Sequence, residues 1–244
     1  MKHKNIIILG GSGFVGQRLA AHLAAQDYKV SILSRNPEKY RGLSLAKNLH
    51  VVSGDPFDAA ALENVFTNQD AVINLVGILN ERKDNGKDFQ HAHVDLTHRV
   101  VMACEAAGVP RLLHMSALHA DAKQGSSYYL RSKGEAEDWA HHAAEWGLRV
   151  TSFRPSVIFG EQDSFLNRFA GLLKLTPIAF PLACPNSRFA PVYVNDVVKA
   201  FAIALEDNST IGKSYNLCGP KIYTLRQLVA YTAQCMKIKR SIIG

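Results

Sequence analysis

Tyr129 and Lys133 stand four residues apart in the run Ser127-Tyr128-Tyr129-Leu130-Arg131-Ser132-Lys133, a spacing that places both side chains on one face of a helix. Tyrosine is a poor acid–base group at its ordinary pKa of about 10. A neighbouring ammonium stabilises the phenolate and draws that value toward neutrality. The chemistry on offer is proton transfer to or from a substrate oxygen. Ser116, just past the apolar run Arg111 to Met115, would orient a substrate carbonyl and share its proton with Tyr129. Tyr128 has Ser132 at the matching offset and no cation, so Tyr129 is the candidate.

Proton transfer of this kind needs a redox partner, and the beginning of the chain offers a place for one. Ile6-Ile7-Ile8-Leu9 runs directly into Gly10-Gly11-Ser12-Gly13-Phe14-Val15-Gly16. Consecutive aliphatics, mostly β-branched, suit a strand buried on both faces of a parallel sheet. The glycines let the backbone turn sharply and lie against a ligand, since no Cβ intervenes. Phe14, Val15, Leu19 and Leu23 then recur at helical spacing, so a helix opens inside the cluster with its positive end toward a pyrophosphate. The stretch satisfies both Gly-x-Gly-x-x-Gly (Gly11, Gly13, Gly16) and Gly-x-x-Gly-x-x-Gly (Gly10, Gly13, Gly16), patterns that gain meaning from the strand–turn–helix around them.

The type of dinucleotide is written at the end of the second expected strand. An NAD-preferring fold places a carboxylate there for the ribose hydroxyls; here the residues are Ser34-Arg35, with no acid between Asp27 and Glu38. Arg35 offers a planar fork for a ribose 2′-phosphate, and Ser34 a second donor. NADP(H) is therefore favoured over NAD(H). Asp55, after the third strand, stands where a carboxylate accepts from the adenine amino group.

These groups require a scaffold, and the chain alternates accordingly. Strands are expected at Tyr28 to Ser34, Leu49 to Ser53, Asp70 to Val76, Arg111 to Met115 and Leu148 to Phe153, with long helices over Phe89 to Ala107 and Ser127 to Glu145. The pattern predicts an α/β protein with a doubly wound parallel sheet, a Rossmann fold, over residues 1–154. From 155 to 244 the rhythm breaks at Pro155, Gly160, Pro177, Pro181, Pro185 and Pro191, as in a smaller, irregular substrate-side region interleaved with the sheet. Phe165 to Leu175 and Thr224 to Met236 read as helices there, Lys213 to Leu217 as a strand, and Asn195 as the N-cap of another helix. Ile242-Ile243 resembles the beginning of a strand, as in a truncated chain.

Composition narrows the rest. The chain has 244 residues, 47% hydrophobic and 20% charged, with a net charge of +7, an ordinary globular composition. Basic residues are scattered apart from Lys237-Ile238-Lys239-Arg240, so no nucleic-acid stripe is present. Cys104, Cys184, Cys218 and Cys235 form no Cys-x-x-Cys pair, which fits a reducing compartment without a metal or disulfide framework. The first strand begins too early for a signal or transit peptide, and no apolar run reaches the roughly 18 residues that span a bilayer. The expected location is the cytoplasm, free or peripheral to the inner face of the membrane.

The ensemble resembles the short-chain dehydrogenase/reductase superfamily in its extended and atypical branch, NAD-dependent epimerase/dehydratase-like. The resemblance rests on Gly10 to Gly16, Gly54-Asp55, Asn74-Leu75-Val76-Gly77, Ser116, Tyr129-x-x-x-Lys133, Arg154-Pro155 and Pro191-Val192-Tyr193-Val194-Asn195-Asp196-Val197. His114-Met115-Ser116-Ala117-Leu118, Ser127 to Lys133 and Phe159 to Phe169 are similar to the group around the nucleotide-binding accessory subunit of respiratory complex I. The resemblance implies Tyr129 as the acid–base tyrosine, Lys133 as the ribose-binding lysine and Ser116 as their partner. It implies cofactor contacts at Val76, Gly77, Arg154 and Pro155. Where extended members often place Val-Asn, this chain has Val94-Asp95, which puts the proton-relay asparagine in question.

Two other groupings were weighed. His91, Asp95 and His98 share a helix face, a spacing an amphipathic helix explains without a metal. Phe169 to Leu182 is apolar enough to line a substrate pocket, meet a partner or pack as a lid. The expected activity is hydride transfer to or from a carbonyl or alcohol of an unidentified small substrate. The rivals are a non-catalytic accessory or assembly component of the respiratory complex, and a nucleotide-sugar epimerase or dehydratase holding NAD.

Overall fold

A computed structural model describes residues 4–176 and 178–244. They form two compact units: residues 4–154 with Val197–Asn216, and Pro155–Asp196 with Leu217–Gly244. The first unit runs β1 (Asn5–Leu9), α1 (Phe14–Ala24), β2 (Lys29–Ser34), β3 (Leu49–Ser53), α2 (Ala59–Phe66) and β4 (Ala71–Asn74). A helix then opens at α3 (Lys87–Phe89), passes through a π-helical turn at Gln90–Asp95, and continues as α4 (Leu96–Ala106). It is followed by β5 (Arg111–Met115), α5 (Tyr128–His142) and β6 (Arg149–Pro155).

The second unit carries β7 (Ile158–Phe159), α6 (Leu166–Leu175), β8 (Ala179–Pro181), β9 (Arg188–Phe189) and β10 (Val192–Tyr193). The chain returns to the first unit through α7 (Val194–Glu206) and β11 (Lys213–Leu217), then closes with β12 (Tyr223–Thr224), α8 (Leu225–Cys235) and β13 (Ser241–Ile243).

The seven-stranded sheet has the order β11-β6-β5-β4-β1-β2-β3, and the pairs from β3 through β6 are parallel. This is the Rossmann-like doubly wound α/β architecture expected from the alternation. The reversal beside β1 leaves the crevice above β1 and β4 as the ligand-binding edge of such a sheet. Ile7, Leu9, Val72, Leu112 and Val150 from the strands pack with Leu62, Phe66, Leu96, Val100 and Ala140 from the helices. Each large aliphatic so buried stabilises the fold by about 1.5–3 kcal/mol.

Two polar devices pin the ends of the sheet. Asp70 Oδ2 accepts from the N–H groups of Lys4 and Asn5, both at 2.8 Å. Arg111, 1% exposed, donates to Arg149 O, Thr151 Oγ1, Ala204 O and Thr210 Oγ1. One buried cation thereby ties β5 and β6 to the returning segment.

The second unit is built from three two-stranded pairs, β10 with β7, β12 with β9, and β13 with β8. The last two pairs, with α6 and α8, contribute to a core of Leu173, Phe180, Leu182, Leu225 and Val229, against which Phe189 and Ile242 pack. Ile242 and Ile243 do form a strand, running parallel to β8. A capping box of Thr224 and Gln227 opens α8. The expected N-cap Asn195 is not one: α7 already begins at Val194, and the Asn195 amide turns to Tyr193 Oη. Pro177 lies outside the described residues.

Candidate functional site

At the C-terminal end of β1 the glycines are needed for space. Gly10 has φ +74°, and a Cβ there would sit 3.1 Å from both Leu75 C and Val76 N. A Cβ on Gly16 would lie 2.4 Å from Gly10 O and 2.5 Å from Gly11 Cα, and one on Gly11 would strike Ile32 at 2.8 Å. Gly13 N–H closes the turn on Gly10 O at 3.0 Å. Gln17 Nε2 braces it from below, on Ser12 O at 2.7 Å. Helix α1 opens at Gly13 without a side-chain cap and with no acid in its first turn, so its N–H groups at Phe14, Val15 and Gly16 keep their capacity for an anion. A turn packed so tightly that a methyl would strike its own backbone, opening on an uncapped helix, fits a pyrophosphate.

The groups expected at the adenosine end flank this turn. Ser34 is buried, its Oγ accepting from Asn36 N–H at 3.2 Å. Arg35 is exposed and has no ion-pair partner among the described residues. Asp55 Oδ1 accepts from Phe57 N–H at 3.1 Å, an Asx turn that fixes the carboxylate at the end of β3.

Helix α5 supplies the chemical pair. Ser127 caps it, its side chain accepting from Leu130 N–H, and this sets Tyr129 and Lys133 one turn apart. Lys133 is 4% exposed, and its Nζ donates to Met115 O at 3.1 Å and Val76 O at 3.4 Å. Gly77 lies so close that a Cβ there would be 2.9 Å from that nitrogen. Val76 is itself held by its N–H on Asn74 Oδ1 at 3.1 Å. Burial pushes the ammonium down from 10.5 to about 8.

Two sequence expectations meet a different arrangement here. Tyr129 is not drawn toward neutrality: burial raises it from 10.0 to about 12, while the Lys133 ammonium is spent on two carbonyls. The phenol is a firmly protonated group. Ser116 does not join Tyr129. Its Oγ is buried beside the Glu137 carboxylate, without a hydrogen bond of good geometry.

In the helix before β5, Asp95, which stands where the resemblance would place an asparagine, is partly exposed and pairs with His91 at 3.5 Å. The π turn instead points His93 inward, 2% exposed, with its ring 5.5 Å from Tyr129 and 5.6 Å from Phe89. Its Nε2 accepts from Ile78 N–H at 3.1 Å, and its Nδ1 is 2.8 Å from Ser132 Oγ. Burial, with the Lys133 charge adding to it, pushes His93 down to about 3. Sequence reasoning passed over this residue. The signal that would have found it is a histidine one position before Val94, provided the extra residue of the π turn is allowed for. His98 stacks edge-on against Trp139 at 4.7 Å, and no metal cluster occurs among the described residues.

Arg154 is directed to Glu137. Its Nε lies 3.0 and 2.9 Å from the two carboxylate oxygens, and Nη2 is 2.8 Å from Oε1. Ser214 Oγ donates to the same oxygen, and His141 Nε2 bridges Ser152 and Ser214. Burial opposes the charge on Glu137, yet the hydrogen bonds from Arg154 and Ser214, with the Ser116 hydroxyl close by, overcome it and hold the group below the usual glutamate value. Pro155 ends β6 beside this pair. His114 is fully buried, with neither ring nitrogen hydrogen-bonded, and burial pushes it down to about 3.

Comparisons with known proteins agree with this fold. The family model described as "NAD dependent epimerase/dehydratase family" matches residues 6–218. The mouse mitochondrial NADH dehydrogenase [ubiquinone] 1 alpha subcomplex subunit 9 is 31% identical over 230 residues, 92% of this chain and 59% of that protein. The chain thus spans somewhat less than two thirds of that relative's length. A (4-alkanoyl-5-oxo-2,5-dihydrofuran-3-yl)methyl phosphate reductase of Streptomyces griseus is 27% identical, over 95% of this chain and 73% of the enzyme. In fold, UDP-glucuronic acid 4-epimerase from Bacillus cereus, solved with UDP-glucuronic acid and NAD, superposes with a TM-score of 0.83 at 18% identity, covering 98% of this chain and 86% of the other.

Proposed function

Because the chain belongs to the NAD-dependent epimerase/dehydratase family, we propose that it holds NADP(H) along the crevice from Arg35 to Lys133 and works in the reductive direction on a small carbonyl compound. The observation that carries the dinucleotide is the Gly10–Gly16 cradle, where a Cβ at Gly16 would meet Gly10 O at 2.4 Å. Exposed Arg35, with the buried Ser34 beside it, stands in the place of a ribose-binding acid and favours the 2′-phosphorylated form.

The dinucleotide, when bound, supplies the hydride. The chain's own part is binding, orientation and one proton. The uncapped start of α1 would take the pyrophosphate. Lys133 Nζ uses two of its three donors on Met115 O and Val76 O, which leaves one for a ribose hydroxyl. Tyr129, firmly protonated, is equipped to donate to an oxygen that is becoming an alkoxide.

A second reading is favoured by the complex I relative and by the buried Ser116 hydroxyl: a nucleotide-stabilised accessory component of a respiratory assembly, with the dinucleotide held and not turned over. The first test is binding. Arg35→Ala is expected to weaken NADPH by about 10–100-fold, the value of a lost charge-assisted contact, and to leave NADH unchanged in a fluorescence titration. Equal affinity of the variant for NADPH would remove the case for the phosphorylated cofactor. Tyr129→Phe then separates the readings: it abolishes NADPH oxidation by a carbonyl substrate if the protein is a reductase, and changes nothing measurable if the nucleotide is structural.

A further inference from the structure

His93 joins three pieces of backbone that meet at the nucleotide crevice. The hydrogen-bond directions are forced. Ile78 contributes an N–H, which can only donate, so His93 Nε2 must present its lone pair at 3.1 Å. A neutral ring then carries its proton on Nδ1 and donates it to Ser132 Oγ at 2.8 Å. The Ser132 hydroxyl, free to turn, donates onward to Tyr129 O at 3.0 Å. The segment pinned at Ile78 is the one whose preceding residues touch Lys133: Val76 O accepts from Nζ, and Gly77 lies against it. The imidazole stands 3.5 Å from where a Gly77 Cβ would be. The π turn, a distortion often found at functional sites, is what carries the ring inward.

We propose that His93 is a positioning residue of the nucleotide site: locked as the Nδ1–H tautomer, it clasps the strand-end loop 76–78 to α5 and so fixes the Lys133 ammonium and the Tyr129 phenol relative to each other. This rests on the reading that Lys133 meets the nucleotide. The clasp requires a neutral ring, because a proton on Nε2 would oppose the Ile78 N–H. The groups that bear on the ring's charge are Lys133 and Tyr129 from α5 and His114 from β5. Lys133 and the surrounding burial keep it neutral, so the clasp survives mild acid.

Two measurements test this, one of them independent of the nucleotide. Nitrogen-15 NMR of histidine-labelled protein should show one histidine protonated at Nδ1, bare at Nε2, and unchanged from neutral pH down to about pH 5; in His93→Gln that signal should be missing. A wild-type His93 protonated at Nε2, or titrating with the exposed histidines, would overturn the proposal. The second is NADPH affinity as a function of pH in His93→Phe, which keeps the ring packed on Phe89 and Tyr129 and removes both hydrogen bonds. Affinity should fall by about 10-fold or more, with the pH midpoint of binding displaced as Lys133 loses its fixed surroundings. Wild-type affinity and midpoint in that variant would also overturn the proposal. If His93→Phe does not fold, His93→Gln, which can restore one of the two bonds, should show an intermediate affinity and a displaced midpoint; wild-type values there count against the clasp. Wild-type protein that binds no NADPH would instead refute the proposed function, and the tautomer signal would still decide the clasp.

Discussion

Replacing Lys133 by methionine should make the ligand-free protein more stable while removing its capacity for the nucleotide. The side chain is 4% exposed and its ammonium is pushed from 10.5 to about 8 by burial. That displacement corresponds to roughly 3 kcal/mol of unfavourable charge burial at neutral pH. Methionine has a similar length, fills the same channel and carries no charge. Against the gain stands the loss of donors to Met115 O at 3.1 Å and Val76 O at 3.4 Å, about 1 kcal/mol for the shorter bond and less for the longer. The net expectation is a stabilisation of about 1–2 kcal/mol, a rise in Tm of roughly 3–6 °C for a chain of this size.

The sign with pH follows from linkage. Below about 8 the lysine is charged in both the folded and the unfolded chain, and the penalty is present in full. Between about 8 and 10.5 the folded protein releases the proton while the unfolded chain keeps it, so wild-type stability recovers over that window. Thermal unfolding followed by circular dichroism at pH 7 and pH 10 should therefore show the variant's advantage at the lower value and its shrinkage at the higher. A variant less stable than wild type at pH 7, or an advantage equal at both values, would show that Lys133 is not a desolvated cation. The account of why the nucleotide site holds a strained charge would then be wrong.

Three further outcomes are expected. Glu137→Gln should cost about 2–3 kcal/mol, since it removes the charge from a buried carboxylate that holds a partly exposed guanidinium. In wild type the contribution of Glu137 is present above the ordinary glutamate pKa and lost as pH falls through its lowered folded value, which a Tm series in acid would show. Gly16→Ala should abolish dinucleotide binding and destabilise the fold, because its Cβ meets backbone at 2.4 and 2.5 Å that cannot move without opening the turn; a variant that still binds NADPH as wild type does would contradict the cradle. Arg111→Met should lower Tm by several degrees, since four acceptors on β6, α7 and the Thr210 turn lose their shared donor.

Much of the architecture was legible because it rests on local rules. The aliphatic run into Gly10 announces a buried strand, and the spacing of Leu19 and Leu23 announces the helix behind it. The four-residue step from Tyr129 to Lys133 fixes their common face whatever packs above. What escaped depends on phase or on distant partners. His93 was hidden because a 3.6-residue period groups His91, Asp95 and His98, and one π turn at Gln90–Asp95 shifts the inward position. Ser116 was expected beside Tyr129 and lies beside Glu137, because the sequence does not say which way the chain turns after β5. The pKa direction of Tyr129 was misjudged because it depends on where the Lys133 ammonium points. That direction is set by two backbone carbonyls from strand ends far away in sequence. Likewise, nothing local in Arg154-Pro155 reveals that the guanidinium is engaged by a carboxylate on α5.

The proposed function requires a dinucleotide at Gly10–Gly16 with a phosphate-bearing ribose at Arg35. Its most direct test is the mass of the nucleotide released when the purified protein is denatured, alongside titration of the emptied protein with NADPH and NADH. On the proposed reading, NADP(H) is expected in the released fraction, with a preference for NADPH that Arg35→Ala removes. Recovery of NAD(H) alone, or equal affinity for both cofactors in the wild-type protein, would contradict it.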